Sequence, residues 1–204
     1  MAKIGLMGGT FNPIHNAHLA LAQAAYEYCG LDQVWFMPSG RSYLKKDMVI
    51  PSGEVRADMV KLAIRDIPYF YFCDLEIKRP GNTYTADTLA ELTSLYPEDE
   101  FYFLMGADSA FSFPHWYLPE KITSLCILGI VNRPGKGQKE LLALIEELKA
   151  RFRARIILIP FHEQPISSSL IREMIAKGDV ADNLIPEPVV GYIRQNGLYT
   201  PEYT

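Results

Sequence analysis

Gly8-Gly9-Thr10-Phe11-Asn12-Pro13-Ile14-His15-Asn16-Ala17-His18 lies between a short apolar run, Ile4 to Met7, and the segment Leu19-Ala20-Leu21-Ala22-Gln23-Ala24-Ala25. That order predicts a strand, a glycine turn and a helix. Paired glycines permit a tight turn and let backbone N–H groups approach a ligand closely. The helix that follows directs its unpaired N–H groups and partial positive charge at the same place, where phosphates bind readily. His15 and His18 are three apart, so on a helix from about Asn16 they share a face near that end. There the two imidazoles can donate to phosphate oxygens. A solvated histidine pair and a metal site are the rival readings. With no third or fourth ligand nearby, the sequence assigns no metal site.

A second stretch, Ile166-Ser167-Ser168-Ser169-Leu170-Ile171-Arg172, also reads as an anion site. Three serines before an amphipathic run form a helix start rich in free N–H groups and hydroxyls. Arg172, about one turn inside, can turn its guanidinium fork toward the same anion.

The intervening chain alternates apolar runs with helical patterns. Strands are expected near 3–7, 33–38, 69–73, 100–105, 125–131 and 155–160, and helices near 17–28, 52–67, 85–95, 137–153, 167–176 and 189–195. Continuous apolar strands alternating with helices predict an α/β fold, a doubly wound parallel sheet covered on both faces, with a small C-terminal helical portion. Ligands of such sheets sit at the carboxyl ends of the strands, where the strand order reverses. No linker divides the chain, so residues 1–204 are read as a single domain. The 204 residues suit one domain, and 49% hydrophobic content allows a substantial core. A net charge of −4 without a basic stripe argues for no nucleic acid as partner. No apolar run reaches membrane-spanning length, so no membrane is expected. Cys29, Cys73 and Cys126 are odd in number and widely spaced, which fits reduced thiols and a cytoplasmic location. No secretory leader is recognisable.

Residues 9–18 resemble the glycine–threonine–phenylalanine–aspartate–proline…histidine–x–glycine–histidine signature of the nucleotidylyltransferases, with Asn12 for aspartate and Ala17 for glycine. Residues 166–172 resemble the isoleucine–serine–serine–threonine–x–isoleucine–arginine signature of the same family, with Ser169 for threonine. The resemblance implies a Rossmann-like, HUP-type fold and an adenylyl transfer from ATP. In it, Gly8, Gly9, Thr10, Phe11, His15, His18, Gly106, Asp108, Arg133, Ser168, Ser169 and Arg172 bind ATP, and His15, His18 and Arg172 serve catalysis. Mg2+ would be carried by the ATP phosphates.

Further stretches are similar to the bacterial nicotinate mononucleotide adenylyltransferases. They are Pro38 to Lys45, Arg79 to Leu89 with its Thr83-Tyr84-Thr85, Gly106-Ala107-Asp108, Trp116 and Asn132-Arg133. The resemblance implies nicotinate mononucleotide as the acceptor, held by Lys45, Thr83, Tyr84, Thr85 and Trp116, with deamido-NAD and pyrophosphate as products of NAD biosynthesis. It leaves room for a homo-oligomer. A phosphopantetheine adenylyltransferase and a nucleotide-binding regulatory module are the alternatives. Glu54, Arg56 and Asp58 read as a solvated helix face, although the family this chain resembles often carries an arginine near Arg56, and His162 reads as a surface or loop residue.

Overall fold

The computed structural model describes residues 1–40, 50–132, 137–161 and 165–201. Strands β1 (Lys3–Gly9), β2 (Gln33–Pro38), β3 (Phe70–Phe72), β4 (Glu100–Gly106), β5 (Ile127–Asn132) and β6 (Ile156–Pro160) form one sheet in the order β3-β2-β1-β4-β5-β6. Every pairing is parallel, with Leu6 opposite Trp35 on one side and Phe103 on the other. This is the doubly wound order, and it reverses between β1 and β4.

Alternation along the strands divides the core into two layers. Met7, Tyr102, Leu104 and Val131 face one layer, with Ala22 and Ala25 of α1 (Asn16–Cys29), Met59 and Val60 of α2 (Gly53–Ile64), Ile171 of α8 (Ser168–Ala176) and Val189 of α9 (Glu187–Gln195). Ile4, Leu6, Phe103 and Leu128 face the other, with Leu89 of α4 (Thr85–Leu95), Ala110 of α5 (Ala107–Ser112), Ile122 of α6 (Pro119–Leu125) and Leu144 and Leu148 of α7 (Gln138–Phe152). Serine hydroxyls start two of these helices: Ser52 accepts from the Val55 N–H, and Ser167 from the Leu170 N–H. Gly30, at φ 59°, ends α1.

Three helices lie where the sequence suggested loop or strand. The short α3 (Leu75–Lys78) follows β3, α5 opens directly from β4, and α6 occupies residues before β5, which therefore starts at Ile127 rather than Leu125. All three are short, and periodicity needs about two turns to show. The turn after β1 also differs from the expectation. Gly8 and Gly9 are its last strand residues. The chain turns at Phe11, with φ 48°, and at the cis Asn12–Pro13 bond.

Candidate active site

The carboxyl ends of β1 and β4 open onto a cleft with two adjoining lobes that share Gly8, Phe103, Ser109 and Trp116. Each lobe is about 270 Å³. Together they fall in the range of small-molecule sites, roughly 300–1,000 Å³. The first lobe is lined by His15, Ala17, His18, Gly106 and Ile166, among others. The second is lined by Gly9, Thr10, Ser39, Glu76, Thr83, Tyr84, Thr85 and Tyr117. The cleft sits at the switch point, where such sheets bind ligands.

His15 immediately precedes α1, and its backbone N–H donates to His18 Nδ1 at 3.2 Å. An accepting Nδ1 carries no proton, so His18 is the Nε2–H tautomer. The two rings stack at 3.7 Å, and Phe11 packs edge-on against His18 at 5.1 Å. Burial lowers the His15 pKa to about 4, so His15 is neutral at physiological pH. A neutral donor can hold a phosphate oxygen without trapping it as an ion pair. Phe11 itself is buried under the loop, against Phe36, rather than on the cleft wall.

The second anion motif is fastened to the first. Ser168 Oγ donates to the Pro13 carbonyl at 2.9 Å, and Arg172 Nη1 donates to the Asn12 carbonyl at 2.8 Å. Arg172 Nη2 reaches Ser169 Oγ at 3.2 Å. The start of α8 therefore abuts the loop that carries His15, although Ser168 and Pro13 are 155 positions apart in sequence. Ile166, two residues before Ser168, lines the histidine lobe. Tyr199, near the other end of the chain, donates from its hydroxyl to Asn12 Oδ1 at 2.7 Å. Asn12 is thus gripped at its carbonyl and at its side chain.

Arg56 corrects the sequence reading. Glu54 and Asp58 are exposed as expected, but Arg56 is only 4% exposed. Its Nη1 donates to the Thr10 carbonyl at 2.8 Å, its Nη2 to the Ser39 carbonyl at 2.8 Å and its Nε to the Pro51 carbonyl at 3.2 Å. One guanidinium ties the loop after β1 to the loop after β2 and to the start of α2. Burial lowers its pKa, yet a guanidinium stays charged.

At the second lobe, α4 begins at Thr85, and Thr83, Tyr84 and Thr85 line the wall. Trp116 stands between the lobes, its indole N–H donating to Ser112 Oγ and its ring edge-on to Phe103. Gly106 and Ser109 line the first lobe, while Asp108 between them is exposed on the first turn of α5. Among the described residues, three buried polar atoms have no partner: Asn12 Nδ2, His15 Nδ1 and Ser39 Oγ. Unsatisfied buried groups are rare in native proteins, and His15 and Ser39 line the two lobes. Lys45, Arg133 and His162 lie outside the described residues. Among the described residues, no group of three or more His, Cys, Asp or Glu side chains could hold a metal ion, and no helix is long and apolar enough to cross a membrane.

Sequence reasoning missed Arg56, Glu76, Ser39 and Tyr199. For Arg56 a signal existed, since it sits three, four and seven residues before the buried Met59, Val60 and Ala63.

The cytidylyltransferase-like family model matches residues 6–174. The chain is 42% identical over 199 residues to a probable nicotinate-nucleotide adenylyltransferase of Lachnoclostridium phytofermentans, covering 98% of this chain and 100% of that protein. It is 43% identical over 198 residues to one from Dehalococcoides mccartyi, covering 97% of each. The same fold occurs in a Plasmodium falciparum nicotinic acid mononucleotide adenylyltransferase complexed with NaAD, with a TM-score of 0.80 at 22% identity, over 100% of this chain and 99% of that one. The two linked anion motifs, the switch-point cleft and this full-length similarity place the chain in the nicotinate-nucleotide adenylyltransferase family, within the cytidylyltransferase-like fold.

Proposed function

We propose that the chain transfers the adenylyl group of ATP to nicotinate mononucleotide, giving deamido-NAD and pyrophosphate. The observation that carries this is the docking of the α8 start onto the loop bearing His15 and His18, beside a lobe walled by Thr83, Tyr84, Thr85 and Trp116. The triphosphate would lie along the first set of donors and the pyridine ring in the second lobe.

An oxygen of the acceptor's phosphate attacks the α-phosphorus. The bond from that phosphorus to the α,β-bridging oxygen breaks, and pyrophosphate leaves with the electron pair. The nucleophile belongs to the substrate, so the protein need supply only position and charge stabilisation. His15 and His18 would hold the α- and β-phosphates. Ser168, Ser169 and Arg172 would hold the leaving group, since Arg172 has further N–H donors beyond the two engaged here. The first turn of α4 offers backbone N–H groups to a carboxylate on the acceptor ring. Magnesium would arrive on the ATP phosphates, because the donors lining this cleft are made for anions. A cytoplasmic site of action is supported by the reduced cysteines.

Pyrophosphate release is the test, measured with nicotinate mononucleotide, nicotinamide mononucleotide and phosphopantetheine as acceptors. The expected order puts the first well ahead, and inactivity with both pyridine nucleotides would sink the assignment. His18→Ala should lower kcat roughly a hundredfold or more, the scale of losing one transition-state donor, with its circular dichroism spectrum unchanged. A near-normal kcat would remove His18 from the chemistry.

A further inference from the structure

Glu76 is a buried carboxyl on the wall of the acceptor lobe, 8% exposed. A negative group there needs a reason, because the proposed acceptor is itself anionic and burying a charge is costly. Its surroundings supply one. The Thr88 hydroxyl donates to Glu76 Oε1 at 2.8 Å. That hydroxyl has a single hydrogen, so it must accept the 2.7 Å bond from Arg79 Nη1. The direction of the chain is therefore fixed, from Arg79 through Thr88 to Glu76, and Arg79 is also paired with Glu91. Thr83, on the same lobe wall, also pulls the pKa of the Glu76 carboxyl downward through its hydroxyl. Burial pushes the carboxyl above its usual range, while the bonds from Thr88 and Thr83 and the charge of Arg79 pull it back.

The main chain of the same residue closes the other side. A Cβ on Gly40 would stand 2.3 Å from the Glu76 carbonyl, so the loop after β2 passes against it with no room for a side chain. Glu76 thus joins α3, the Gly40 turn, Thr83 on the approach to α4, and Thr88 one turn inside α4. Tyr84, at the N-cap, makes no side-chain capping bond, and its ring packs on Tyr117 at 4.6 Å.

We propose that Glu76 is a positioning residue for the acceptor: by holding Thr83 and Thr88 it sets the α4 start at the angle that receives the acceptor's ring, and so sets the preference for acid over amide. This rests on the proposed reaction. Glu76 does its work through Thr83 and the α4 amides, without contact with the reacting phosphates.

The test is steady-state kinetics of the full chain, varying ATP and each pyridine nucleotide in turn. Glu76→Ala is expected to raise the KM for nicotinate mononucleotide tenfold or more, to leave the KM for ATP within twofold, and to narrow the acid-to-amide ratio in kcat/KM. Glu76→Gln should restore most of this, because its carbonyl accepts from Thr88 and its amide can donate to the Thr83 oxygen. Thr88→Val, isosteric at a fully buried position away from the cleft, should reproduce the acceptor defect even if Glu76→Ala does not fold. An acceptor KM within twofold of wild type in Glu76→Ala or Thr88→Val, a parallel rise in both KM values, or no recovery in Glu76→Gln overturns the role. Failure of the underlying reaction shows instead as inactivity of the wild-type chain itself.

Discussion

Removing the Arg56 side chain should damage stability and acceptor binding together. Arg56 donates to three backbone carbonyls, at Thr10, Ser39 and Pro51, from a position almost closed to water. Hydrogen bonds from a charged donor contribute about 1.5–3 kcal/mol each, and a buried acceptor left without a partner costs about 1–3 kcal/mol. The three bonds share one side chain and are not additive. Water can also reach some of the vacated space, since Thr10 and Ser39 line the open cleft. We therefore expect Arg56→Ala to lose about 3–5 kcal/mol, the scale of removing one member of a buried charged network. For a chain of this size that lowers Tm by roughly 6–20 °C. Arg56→Lys keeps the charge, but an ammonium cannot span three carbonyls laid out for a planar fork. It should recover less than half of the loss. Urea titration gives the stability change. Pyrophosphate release at saturating and limiting acceptor gives the second readout, in which the acceptor KM should rise in Arg56→Lys because Thr10 and Ser39 both wall that lobe. A stability loss under 1 kcal/mol in Arg56→Ala, with unchanged kinetics, would show that the three bonds are replaceable by solvent and that the guanidinium organises nothing.

Two further outcomes follow from single groups. The folded-state pKa of His15 is depressed to about 4 from 6.5 by burial, so folding favours its neutral form. The resulting stabilisation is complete above the unfolded value and is lost as pH falls from about 6.5 toward 4. Linkage puts the loss between pH 7 and pH 5 at about 1–2 kcal/mol, and urea titrations of wild type and His15→Gln at both pH values should show the slope flattened in the variant. An equal slope in the two would mean that His15 is not held neutral. Tyr199→Phe deletes the hydroxyl that donates to Asn12 Oδ1 and should cost about 1–2 kcal/mol. Because Asn12 also takes the Arg172 bond, that variant should raise the KM for ATP, and unchanged values of both would show that the contact has no bearing on the loop.

The parts of this protein that were legible in its sequence share a property: their chemistry is carried by neighbouring residues. Residues 8–18 announce a strand, a turn and a helix in one reading frame, and the serines before Arg172 announce a helix start. A parallel sheet covered on both faces follows from continuous apolar strands alternating with helices, and it came out as expected. What stayed hidden acts through main-chain atoms or across long separations. Arg56 binds carbonyls, which every residue has, so no partner type in the sequence gives it away. Its traces were the family resemblance near that position and its place on the buried stripe of α2, where a charged residue reads more naturally as a displaced surface position. Tyr199 and Asn12 are 187 residues apart, and neither type is unusual where it stands.

The Asn12 position shows how such contacts bear on function. Where the family signature has a carboxylate, this chain has an amide whose oxygen is satisfied by Tyr199 and whose nitrogen has no partner. The amide avoids placing a buried negative charge behind the loop proposed to receive a polyphosphate, at the cost of one unsatisfied donor. Two more unsatisfied atoms, on His15 and Ser39, belong to residues that line the two lobes. Unpaired polar atoms around an anion-binding cleft leave the empty site less stable than it could be. The same atoms make the filled site comparatively more favourable wherever a phosphate or hydroxyl can reach them. The structure therefore holds part of its hydrogen-bonding capacity in reserve beside the cleft, and fixes the surrounding loops with Arg56, Arg172 and Tyr199 so that the reserve stays aimed.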